Sequence, residues 1–142
     1  MREIFAGLWQ GDIGDLNALK LANEKHFLKF TLAINVGSTP FVPRDVQTVY
    51  FPMRDESDAK LNDWERAVDY VKLAVREIRR GGKVLVTCDA GISRSVVFAG
   101  MVTALYKELP MDDKLMQALR HPCDPPLEGL WKSGQKALLE YG

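Results

Sequence analysis

Two side chains six residues apart carry the chemistry of this sequence. In the stretch VLVTCDAGISRS, residues 84–95, Cys88 offers a thiol and Arg94 a guanidinium. Cysteine attacks as its thiolate, and at an ordinary pKa near 8.5 only about 3% is ionised at neutral pH. Helix N-termini and cationic neighbours change this, bringing thiol pKa values down to roughly 3.5–7.5. Arginine presents a planar fork matched to two oxygens of a phosphate. The pair therefore suits attack by sulfur on a phosphoryl group that the guanidinium holds, giving a cysteinyl-phosphate. Ser95 adds a hydroxyl that can donate to the sulfur when it leaves again.

Such chemistry needs a particular backbone. Lys83–Thr87 is short, continuous and β-branched, as expected of a strand buried on both faces. Ser95–Tyr106 (SVVFAGMVTALY) is apolar nearly all round and reads as a buried helix. The loop between them lies where a strand gives way to a helix N-terminus, the position at which α/β folds bind anions. The N–H groups of Asp89, Ala90, Gly91, Ile92, Ser93 and Arg94 are expected to converge on the substrate, with Gly91 taking the left-handed conformation that this requires. A cysteine closing a buried strand is ordinarily packing, and an arginine opening a helix ordinarily faces solvent. Their combination with Gly91, Ser93 and Ser95 in this context is what points to a site.

The flanking elements follow from period and punctuation. One strand is expected around Ile4 to Trp9, a helix near Leu16 to Asn23, and strands at Phe30 to Val36 and Val46 to Phe51, with Val46, Val49 and Phe51 facing inward. Leu61, Trp64, Ala67, Val68, Val71, Val75 and Ile78 recur at spacings of three and four, one face of a long helix that Gly81 and Gly82 end. Amphipathic helices over about Asp112 to Arg120 and Leu127 to Leu139 close the chain. Alternation of this kind predicts an α/β domain spanning 1–142, with a central, mainly parallel sheet of about five strands flanked by helices.

Composition narrows the partners. Nineteen basic residues balance nineteen acidic ones, so the positive field that nucleic-acid binders use is missing and nucleic acid is not expected to bind. No apolar stretch approaches a membrane span, and MREIFAGLWQGD has no signal-peptide character, so a cytoplasmic monomer away from membranes is expected. Cys88 and Cys123 are the two cysteines. Both are expected to be free thiols, with Cys123 incidental or, less simply, a resolving partner for Cys88.

CDAGISRS, from Cys88 to Ser95, resembles the signature of the cysteine-dependent protein phosphatases, and the chain is most similar to their small dual-specificity class. LWQGD resembles the family's first-strand motif, TLAINV its second core strand, and VYFPMRDES the strand leading to its general-acid loop. The resemblance implies a protein-tyrosine-phosphatase-like fold and hydrolysis of phosphotyrosine and phosphoserine/threonine in phosphorylated proteins, or of small phosphomonoesters. It implies Cys88 as nucleophile, Arg94 and the loop amides as the phosphate cradle, and Ser95 as donor to the departing sulfur. It also implies an upstream aspartate as general acid: Asp55, directly after FPMR, takes that role, with Asp58 the substitute and Asp63 belonging to the first turn of the next helix. No metal or other cofactor is expected, because Arg94 and the amides stabilise the charge.

Two positions depart from the family pattern. Thr87 stands where relatives carry a histidine that supports the loop and the thiolate, and neither His26 nor His121 lies near enough in sequence to replace it. Asp89 lies inside the loop, where relatives that prefer phosphoinositides carry a basic residue, which argues for phosphoprotein over inositol lipid. Thr87 also sustains an alternative: a catalytically weak, pseudophosphatase-like module that captures phosphate.

Overall fold

Residues 84–87 form the middle strand of a five-stranded sheet in the computed structural model, which describes residues 1–19, 28–55 and 62–142. The strands are β1 (Arg2–Phe5), β2 (Leu8–Gly11), β3 (Leu32–Asn35), β4 (Gln47–Tyr50) and β5 (Val84–Thr87), in the spatial order β1-β2-β5-β3-β4. The helices are α1 (Ile13–Asn17), α2 (Trp64–Arg79), α3 (Arg94–Lys107), α4 (Asp113–Leu119) and α5 (Glu128–Tyr141). β2, β5, β3 and β4 run parallel, and β1 pairs antiparallel with β2. The architecture is the α/β sandwich expected, with that one antiparallel pair at its edge.

Alternation along the strands sorts the interior into two clusters. Leu8, Leu32, Ile34, Val84, Val86 and Cys88 join apolar residues of α2, α3 and α5 in the larger one. Ala33, Val46 and Leu85 meet Leu16, Leu19 and Phe30 in the smaller one, over which α1 lies. Every residue of β5 is buried, which is why its sequence shows no polar alternation. α3 passes beneath the sheet with Arg94 through Ala104 buried, and so lacks an amphipathic stripe. Among the described residues no helix is long and apolar enough to cross a membrane.

Two expectations need correction. The single strand around Ile4 to Trp9 is a hairpin, β1 and β2, turning at Gly7 with φ +105°. Val46 faces the smaller cluster while Val49 and Phe51 pack on the larger, because a sheet with helices on both sides has two interiors. α1 covers Ile13–Asn17, and the expected helix near Leu16 to Asn23 runs on into residues 20–27, which lie outside the described part.

α2 begins at Trp64, and its first-turn amide at Arg66 is capped by the Asp63 carboxylate at 3.1 Å. Leu61, assigned to its apolar face, lies outside the described residues. At the other end Gly81 takes φ +90°, as the helix stop requires; Gly82 is not in the left-handed region.

Candidate active site

β5 delivers Cys88 to the interior, 2% exposed, and α3 starts at Arg94. Between them the loop is laced to the exit of β2: the Cys88 N–H donates to the Gly11 carbonyl and the Ile13 N–H to the Asp89 carbonyl, each at 3.4 Å. Gly91 has φ +71°, and a Cβ there would come within 3.1 Å of the Gly11 carbonyl carbon. Glycine is thus required both by conformation and by close approach. Ser93 occupies the N-cap of α3, yet its hydroxyl accepts from the Leu127 N–H at 3.0 Å and makes no cap bond. The first-turn amides of α3 therefore have no side-chain oxygen spent on them, which suits an arriving anion.

Cys88 Sγ lies 3.1 Å from Ser95 Oγ, as the sequence leads one to expect. A residue that sequence reasoning missed completes this contact. Gln10 Nε2 is 2.8 Å from both Ser95 Oγ and the Gly91 carbonyl oxygen. Gln10 is 2% exposed, and the signal for it was available: a polar side chain at an inward position of LWQG.

Arg94 is almost fully buried, and its fork faces the segment after β3. One terminal nitrogen donates to Ser38 Oγ at 2.8 Å and, at 3.4 Å, to the Met53 carbonyl. The other meets Asp89 Oδ2 at 3.2 Å. Asp89 in turn accepts from the Ser38 and Thr39 N–H groups, each at 3.1 Å. Burial pushes the Asp89 carboxyl up, but the bonds from Thr39 and Ser38 and the charge of Arg94 outweigh it and hold the group below the ordinary carboxylate range. Asp89 was expected to offer an amide to substrate; its carboxylate also ties the loop to Ser38–Thr39. Asn35, fully buried at the end of β3, braces that segment by accepting from the Gly37 N–H and donating to the Thr39 carbonyl, both at 3.0 Å.

An open cleft of about 460 Å³ joins Arg94 and Ser38 to Pro52, Met53, Arg54 and Asp55. Asp55 is exposed at its mouth, so the expected acid and the expected phosphate ligand share one cavity. Asn62 clamps the backbone of Arg54, its carboxamide oxygen accepting from the Arg54 N–H at 2.7 Å and its nitrogen donating to the Arg54 carbonyl at 3.2 Å. Asp58, the substitute acid, and His26 lie outside the described residues. Thr87 is fully buried on the strand, and its hydroxyl has no hydrogen-bond partner among the described residues. Cys88 and Cys123 are both free thiols, the latter exposed.

No family model matches the sequence, and no curated protein matches it. Solved structures do. Human DUSP28 is 21% identical with a TM-score of 0.83, over 99% of this chain and 96% of that one. The human tyrosine phosphatase-like serine/threonine/tyrosine-interacting protein is 20% identical with a TM-score of 0.80, over 99% and 97%. OH1 from the Orf virus, described as a tyrosine phosphatase with triple substrate specificity, is 22% identical with a TM-score of 0.68, over 99% and 84%. The likeness is one of architecture carried over the whole described chain, and it gives this protein the fold of the dual-specificity phosphatases.

Proposed function

We propose that the protein is a phosphomonoester hydrolase acting on phosphotyrosine and phosphoserine/threonine in proteins through a cysteinyl-phosphate intermediate. The observation that carries this reading is the 3.1 Å approach of Ser95 Oγ to Cys88 Sγ in a loop that also presents Arg94 to a cleft containing Asp55. In the first step the Cys88 thiolate forms a bond to phosphorus as the ester P–O bond breaks. The departing oxygen takes the electron pair and a proton from Asp55. In the second, water attacks phosphorus, its proton passes to the Asp55 carboxylate, and the P–S pair returns to sulfur. Ser95 donates to that sulfur, while Arg94 and the loop amides carry the oxyanion charge throughout without calling on a metal.

Pairing of Asp89 with Arg94 leaves less net positive charge on the cleft wall. This favours a phosphoprotein or small phosphomonoester over a polyanionic inositol lipid. Release of phosphate from an aryl phosphate and from a phosphopeptide panel tests the reading, together with acid-quench trapping of phosphorus on Cys88. The second reading, a phosphate-capturing module, draws on the partnerless Thr87 hydroxyl where the resemblance expects a histidine. Retained oxyanion binding with no phosphate release between pH 5 and 8 would select it.

A further inference from the structure

The hydrogen-bond chemistry around Gln10 has one solution. The Gly91 carbonyl can only accept and the Arg2 guanidinium can only donate. Gln10 Nε2 lies 2.8 Å from the first, and Gln10 Oε1 accepts from Arg2 Nε at 2.9 Å, so the orientation of the amide is fixed from both ends. One amide hydrogen is spent on Gly91. The other points at Ser95 Oγ, 2.8 Å away, and obliges that oxygen to accept. The Ser95 hydroxyl hydrogen stays free to be donated, and Cys88 Sγ, 3.1 Å away, donates to Ser95 Oγ as a thiol and can only accept from it once it is a thiolate. Arg2 is itself anchored by the carbonyls of Leu119 and Arg120 at the end of α4.

We propose that Gln10 is a positioning residue that aims the Ser95 hydroxyl at the Cys88 sulfur, with Arg2 setting the polarity of the relay. The relay runs from a cation through an amide and a hydroxyl to the nucleophile, and each bond polarises the next. It approaches from β1 and β2, behind the loop and away from the substrate cleft. It thus supplies support for the nucleophile in a chain that has Thr87 before its cysteine. The inference rests on the hydrolase reading only in naming Cys88 the nucleophile; its test does not depend on turnover.

The test measures alkylation of Cys88 by iodoacetamide against pH in a Cys123→Ser background, so that one thiol reports. Gln10→Met keeps the volume and removes both donors. It is expected to slow alkylation at pH 6 about tenfold and to move the pH midpoint upward, the loss of one hydrogen bond to an ionised group. Arg2→Met, in the edge strand, is expected to act in the same direction by about threefold, and it decides the matter if Gln10→Met fails to fold.

In a Ser95→Ala background, Gln10→Met should add nothing, since Gln10 acts through that hydroxyl. Unchanged alkylation in the folded single variants, or a full additional effect without Ser95, would overturn the proposal. A wild-type protein that alkylates as described but releases no phosphate would instead count against the hydrolase reading alone.

Discussion

Asp89 and Arg94, five residues apart in one loop, form an ion pair at 3.2 Å in which the carboxylate also holds the N–H groups of Ser38 and Thr39. Because the folded state lowers the pKa of Asp89, its contribution to stability is complete above the ordinary value of 3.8 and disappears as pH falls through the lower folded value. Asp89→Asn should therefore lower Tm at pH 6, and the gap to wild type should close well below pH 3.8, as thermal scans across that range will show.

Asp55 and Asp58 can be separated by leaving group. A poor alkoxide leaving group needs the proton, whereas a nitrophenolate hardly does. Asp55→Asn is expected to lower kcat on phosphoserine peptides by about 10² to 10⁴, with little change in KM and a much smaller loss on nitrophenyl phosphate. A larger loss from Asp58→Asn would move the acid role to that residue.

Gly37 packs against the loop after β5 so closely that a Cβ would sit 2.5 Å from Asp89 Oδ1, 2.8 Å from Asp89 N and 3.1 Å from Cys88 Cα. Two of those atoms are backbone and cannot swing aside. Gly37→Ala should cost about 1–3 kcal/mol, read as a lower urea midpoint at unchanged slope.

Thr87 buries a hydroxyl that finds no partner among the described residues. Thr87→Val keeps the shape and removes the unmet group, so it should stabilise by about 1 kcal/mol and raise Tm by about 4 °C. A fall in Tm would show that the hydroxyl is satisfied in solution.

Local patterns carried most of this structure in the sequence. The unbroken apolar run of β5, the all-round apolar α3 and the three-four spacing of α2 each reflect a single environment, which period alone can report. The hairpin of Arg2–Phe5 and Leu8–Gly11 was not legible because its turn is only Ala6 and Gly7, too short to interrupt the pattern. Cys88, Arg94 and Ser95 announce themselves within eight residues of chain. Gln10 and Ser38 do not: they reach the loop from β2 and from the segment after β3, at separations of 85 and 56 residues from their partners, and only tertiary pairing reveals them.

The loop from Cys88 to Ser93 is spliced between the innermost strand and the most deeply buried of the described helices. Amides at its roots should thus exchange with deuterium only when the whole molecule unfolds.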